Sequence, residues 1–283
     1  MTNVAPRPAV GSPGPGHYLC AEGLPAEAGG VMATRRGGVS RAPFDSLNLR
    51  PAGLRGDASD EPASIHENQR RFTSWLEGAQ PVYLDQVHGT QVVRLGRGDL
   101  GPGRGFHQAD ASITTERGVA CTVLVADCLP VLLAAPGARA VGAAHAGWRG
   151  LAGGVLEATL VALCQAAACE ASEVSAWLGA CIGPQAFEVG DDVREAFGGS
   201  SGAEPGVGLG VDAAAQPAAF FRPGVAPGKW WADLPGLARW RLQRAGVSRV
   251  SGGQWCTYSE PSHFFSYRRD RLTGRHAAAI WIR

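Results

Sequence analysis

Three apolar runs, VACTVLVA (119–126), LPVLLAA (129–135) and ARAVGAAHA (138–146), follow one another with only two residues between neighbours. Each is short enough to be a strand and apolar on both alternations, the pattern of a sheet covered on both faces. A chain with such a centre must supply helices or a second layer to cover it. Helical spacing is found at Pro62–Leu76, with Ile65, Phe72 and Leu76 on one face, and over 151–168, with Leu156, Leu160 and Leu163. A third helix is expected over 234–246, stopped by Gly246, and further strands over 81–84, 90–95, 175–182 and 276–282. Residues 1–16 hold four Pro and three Gly, which predicts a flexible tail, and GGSSGAEPGVGLG (198–210) reads as a loop. Length alone admits one large domain or two joined lobes; there is no internal repeat, and no linker divides the chain convincingly.

Hydrophobic residues at 45% and charged residues at 18% exclude general disorder. A net charge of +1 supplies no global field for nucleic acid or an anionic membrane, so neither partner is expected. The basic residues are 25 Arg and one Lys, Lys229, which leaves Walker-type loops and most Schiff-base mechanisms without a lysine. Seven Cys without a C-x-x-C pair fit a reducing compartment. No secretory signal pattern and no long uncharged apolar stretch are present, so a soluble, cytoplasmic protein is expected.

Chemistry concentrates where the apolar text is interrupted. Asp127 and Cys128 stand between two hydrophobic strands, and burying them is expensive unless they are paired or liganded. His145 ends a strand and opens AGWRG, while His88 precedes a Gly in LDQVHGTQVV, between two strands. Two His and one Cys suit a zinc ion with one position left for a reactant. Their spacings, 40 and 17 residues, match no local metal motif, so on spacing alone they read as separate core or surface side chains before they read as one metal site.

LDQVHGTQV, ADASITTERGVACTVLVADCLPVLL, AVGAAHAGWRG and FFSYRRDRLTGRHAAAIWI resemble, in this order, the signatures of the YfiH-type laccase-domain family. Its members carry the names polyphenol oxidoreductase, purine nucleoside phosphorylase and peptidoglycan editing factor. TRRGGVS, SLNL and the pair Gly56–Asp57 extend the likeness, which runs from about Val31 to Ile282. The resemblance implies a single α/β (α+β) sandwich over 17–283, a mixed sheet covered by helices and related to cysteine hydrolases. It also implies that His88, Cys128 and His145 ligate zinc, with copper as the alternative metal. Gln185 and Phe187 depart from the Cys and Tyr that the family often has there.

A multicopper oxidase ligates its coppers with roughly ten His, often in H-x-H pairs. Seven His with no H-x-H supply one metal, not four, so laccase chemistry is not expected. The family resemblance implies instead phosphorolysis of adenosine, inosine or 5′-methylthioadenosine to free base and ribose 1-phosphate, with adenosine deaminase activity beside it. Phosphorolysis needs an anion clamp, for which Arg has the right fork. Candidates are Arg35 and Arg36 with Ser40, Ser46 and Asn48, then Arg149 after Gly147, then Arg268; Asp127 is a candidate to orient a liganding His or relay a proton. Trp230 and Trp231 could stack a purine or simply pack. The rival from another class makes Cys128 a thiolate nucleophile with His145 or His88 as base, in a hydrolase of an amide or peptidoglycan precursor. A third makes the site structural, with Cys181 or His263 as fourth ligand.

Overall fold

The three apolar runs become three strands buried along their whole length, Val119–Val125, Leu129–Ala134 and Val141–Ala146. They are divided between two sheets. Val119–Val125 lies in a five-stranded sheet ordered Tyr18–Cys20, Ala28–Ala33, His276–Ile282, Val119–Val125, Gln80–Val82. The other two are central in a six-stranded sheet ordered Arg249–Gly252, Ser175–Leu178, Leu129–Ala134, Val141–Ala146, Ala111–Thr114, Val92–Leu95. Both sheets mix parallel and antiparallel pairs. The computed structural model describes residues 16–54, 60–101, 103–198 and 217–283. The tail expected at 1–16 (apart from Gly16), the pair Gly56–Asp57 and positions 199–210 of the expected loop lie outside the described residues.

Strand alternation explains the stacking. Cys121, Val123 and Val125 point between the sheets and meet Leu132, Ala134, Val141, Ala143 and Trp177. On the far side of the six-stranded sheet, Val131, Leu133 and Ala144 pack on Leu156, Leu160 and Leu163 of the helix Val155–Ala167 and on the helix Leu234–Arg244. On the far side of the five-stranded sheet, Ala120, Leu124, Ala277 and Ala279 pack on Phe72 of the helix Pro62–Thr73 and on Leu47 and Leu49. The α/β sandwich is therefore layered helix, sheet, sheet, helix. The mixed sheet expected from the sequence is two mixed sheets, each covering one face of the other.

Two local departures have plain causes. The helix expected over 151–168 is split at Gly154, whose φ of 102° ends Trp148–Gly153 and begins Val155–Ala167. The strand Ala28–Ala33 is concealed in sequence by Gly29 and Gly30, which have weak strand preference. Gly29 is needed there, because a Cβ would stand 2.1 Å from the Trp281 indole. Among the described residues no helix is long and apolar enough to cross a membrane.

Leu132 is fully buried between the sheets. Leu132→Ala is predicted to cost about 2–5 kcal/mol in denaturant unfolding, whereas Val161→Ala, at a position 55% exposed, should stay within about 0.5 kcal/mol. His276, at the start of the closing strand, is fully buried and accepts the Phe265 N–H on Nε2 at 2.8 Å. Burial pushes its pKa down to about 3, so the native imidazole is neutral while the unfolded one titrates near 6.5. Its contribution is complete above about pH 6.5 and is lost as pH falls toward 3, at up to about 1.4 kcal/mol per pH unit. Unfolding midpoints measured from pH 7 to 4.5 should decline less steeply in His276→Asn.

Candidate metal centre

The chain passes from the five-stranded to the six-stranded sheet through Ala126, Asp127 and Cys128 alone. The crossing forces Asp127 to a φ of 96°, uncommon for a residue with a side chain. Its carboxylate stabilises that turn: Oδ1 accepts from the Thr257 hydroxyl at 2.6 Å, and Oδ2 from the Arg268 N–H at 2.6 Å. Its carbonyl accepts from the Ile182 N–H at 2.9 Å. Cys128 is thereby fixed at the ends of both sheets.

His145 lies on the central strand Val141–Ala146 and is 3% exposed. Its Nδ1 is 2.8 Å from Oδ1 of Asp110, a fully buried carboxylate at the start of the neighbouring strand. The same carboxylate accepts the N–H groups of Val87 (3.1 Å), His88 (2.9 Å) and Gly89 (2.7 Å). Asp110 thus holds one imidazole by its ring and the other by its loop. With Nδ1 bonded to Asp110, His145 keeps Nε2 for the centre, the carboxylate–histidine arrangement of metal sites.

The donor atoms of His88, Cys128 and His145 lie within 4.8 Å of one another. Cys128 Sγ is 3.7 Å from His88 Nε2, against roughly 3.6 Å for S and N ligands sharing a tetrahedral zinc. The two imidazoles stand edge to face with centroids 4.8 Å apart. At Gly147 a Cβ would come within 3.0 Å of Cys128 Sγ and 2.8 Å of the His88 ring, so the site requires glycine there. Burial would raise the Cys128 thiol, but the charge and hydrogen bonds of His145 and His88 pull it down to about 6. Burial would likewise lower His145, yet Cys128 and Asp110 bring it up to about 9. Asp110, despite its burial, is held below the usual carboxylate range by His145 and the Gly89 and Val87 N–H groups. A thiolate is therefore present at neutral pH, and the trio fits a soft divalent ion such as zinc or copper.

The trio lines a cleft of about 640 Å³. Of the expected anion-binding residues, Asn48 lines it, while the others lie outside the lining. Arg35 donates to the Asp45 and Pro261 carbonyls at 2.9 and 3.0 Å and lies over Phe265, and Arg36 donates to the Ser262 carbonyl at 2.8 Å. Ser46 donates to the Arg35 carbonyl at 3.0 Å, and Ser40 is buried against Asp60. Arg149 is exposed and stacks on its neighbour Trp148. Arg268 donates to the Glu188 carbonyl at 2.8 Å and covers Phe187. The guanidiniums of Arg35, Arg36 and Arg268 tie loops together. Asp127 braces the turn, and the carboxylate that orients His145 is Asp110, which the sequence reading passed over. Cys181 and His263 are outside the donor cluster, and neither Gln185 nor Phe187 lines the cleft. Trp230 donates to Asp191 at 2.7 Å and lies under Arg194, in a separate three-stranded sheet with Trp231. Arg50, Gln86, Tyr267, Thr273 and Arg275 join the lining instead.

Residues 30–283 match the family described as multi-copper polyphenol oxidoreductase laccase. The chain is 46% identical over 258 residues to a purine nucleoside phosphorylase of Pseudomonas aeruginosa, covering 91% of this chain and 95% of that one. It is 44% identical over 251 residues to purine nucleoside phosphorylase YfiH of Escherichia coli, covering 88% and 92%. Among solved structures, a Neisseria meningitidis protein superposes with a TM-score of 0.80 at 41% identity, covering 94% of this chain and 99% of that one. YlmD of Geobacillus stearothermophilus does so with 0.81 at 30%, covering 98% and 100%. The motif order, the two-sheet sandwich and this extent of identity agree, and the chain belongs to the YfiH-type multi-copper polyphenol oxidoreductase laccase family.

Proposed function

We propose that the protein is a metal-dependent purine nucleoside phosphorylase acting on adenosine, inosine and 5′-methylthioadenosine, with adenosine deamination as a second activity at the same centre. The observation that carries this reading is the convergence of His88, Cys128 and His145, backed by buried Asp110, on one cleft of about 640 Å³. That volume lies in the range of small-molecule sites, about 300–1,000 Å³. The names of the relatives, purine nucleoside phosphorylases at 44–46% identity, support the substrate class. Among the described residues this is the one cluster of three or more such ligands, which supports a single-metal enzyme over a four-copper oxidase.

In phosphorolysis a phosphate oxygen forms a bond to ribose C1′ as the C1′–N9 bond breaks, and the purine leaves with the electron pair and takes up a proton. The chain's part is to orient and to exclude water. Leu84, Leu124 and Tyr267 offer the purine an apolar lining, and Asp110 keeps His145 in one tautomer with Nε2 toward the centre. His88, Cys128 and His145 would hold the metal, and a zinc ion there would supply Lewis acidity and lower the pKa of a bound water toward neutrality.

One observation favours a second reading. A depressed thiol beside a raised imidazole that a buried carboxylate orients is also the arrangement of a Cys–His–Asp nucleophile. The second imidazole on the sulfur, His88, has no task in that scheme and supports the metal.

Chelation is predicted to abolish base release from inosine or adenosine; omission of phosphate should stop base release while deamination continues, with products identified by mass. Base release indifferent to phosphate would make the enzyme a hydrolase. Cys128→Ser should lose stoichiometric metal and activity together; a metal-free protein with a trapped iodoacetamide adduct on Cys128 and hydrolytic activity would favour the nucleophile. Asp110→Asn should weaken metal affinity by about 10- to 100-fold in competition with a chelating dye.

A further inference from the structure

Arg275 precedes the closing strand and lines the same cleft as His88, Cys128 and His145. Its Nη1 donates to the carbonyls of Thr273 at 2.9 Å and Gly274 at 3.2 Å, which pins the guanidinium against its own turn. Tyr267 flanks it, with the guanidinium carbon 5.8 Å from the ring centroid. Among the described residues no carboxylate pairs with it, and Nε and Nη2 have no hydrogen-bond partner. Arg275 is half-buried, and the three N–H donors on Nε and Nη2, of the five it has, are left for solvent or for an anion in the cleft.

Two further observations point the same way. Asn48 Oδ1 accepts the backbone N–H of Arg275 at 2.9 Å and of Arg50 at 3.3 Å, so one amide brings two guanidinium-bearing positions together. Burial, and then the Arg50 charge, push the Arg275 pKa down. The described lining holds three arginines, Arg50, Arg271 and Arg275, against the one carboxylate of Asp85. Next to Arg275, Thr273 is 5% exposed, lines the cleft, and its hydroxyl has no hydrogen-bond partner among the described residues. A cationic fork beside an orphaned hydroxyl donor is a receptor for a tetrahedral oxyanion.

We infer that Arg275, with the Thr273 hydroxyl, binds the inorganic phosphate that the reaction consumes. The identity of the anion rests on the phosphorolytic reading above; the site for an anion rests on the guanidinium that no carboxylate pairs and on the orphaned Thr273 hydroxyl. The phosphate of a nucleotide has the same chemistry, and the test separates the two.

The experiment titrates inorganic phosphate, and separately adenosine 5′-monophosphate, calorimetrically into the metal-characterised protein in phosphate-free buffer, and measures KM for phosphate and for inosine. The proteins are wild type, Arg275→Met, Arg275→Lys and Thr273→Val. Arg275→Met is expected to raise the phosphate Kd and KM roughly 10- to 100-fold while the inosine KM changes less than about threefold. Arg275→Lys should fall between, as a point charge replaces a fork. Metal content should be unchanged. Should Arg275→Met not fold, Arg275→Lys and Thr273→Val carry the comparison. Wild type that binds no phosphate, or variants that bind it within threefold of wild type, would overturn the inference. So would nucleotide binding at least tenfold tighter than phosphate with that advantage lost in Arg275→Met. A wild type that releases base without phosphate, yet binds phosphate through Arg275, would sink the phosphorolytic reading and leave the anion site standing.

Discussion

One buried carboxylate organises the centre. Asp110 is surrounded by protein, and an ionised acid in such a place is stable only if its oxygens are satisfied. Its partners are three consecutive N–H groups of the His88 loop and the ring of His145. The cost of burying the charge is offset by fixing two imidazoles at once, so the position of the loop and the tautomer of the strand histidine are consequences of one side chain. The Cys128 thiolate then sits opposite two oriented donors.

The stacked sheets are what make that convergence short-range. His145 comes from the middle of one sheet, Cys128 from the link between both, and His88 from a loop docked on the strand beside His145. Residues far apart in sequence meet because strand ends from both layers open at the same edge. Loops usually carry function on a rigid scaffold; here one ligand of the three is part of the scaffold itself, and Gly147 keeps the space clear for it.

The sequence displays the apolar runs, and with them the demand for a covered sheet. It cannot say what does the covering, because alternation reports that both faces are buried and not whether a helix or another sheet buries them. The three donors stood out as polar or titratable groups at breaks in apolar text, and the family resemblance joined them. Asp110 did not, since an acid ahead of a strand looks like any turn residue until the fold puts His145 across from it. Among 25 arginines, local text favoured Arg35 and Arg36 in a polar loop. Their guanidiniums instead bind carbonyls that come from residues 261 and 262, more than two hundred positions away. Arg275 had no local mark, because what distinguishes it is a missing counter-charge, a property of the folded surroundings.

The link at 126–128 also sets which parts of the molecule are able to move. Val125 and Leu129 are separated by four Cα–Cα steps, about 13–15 Å if fully extended, and stacked sheets lie about 10 Å apart. The connection is therefore short, and the hydrogen bonds that brace its bend at Asp127 tie the two layers together at this edge. Entry and exit of a reactant are left to the turns that line the cleft, around Phe44, Leu54 and Leu272.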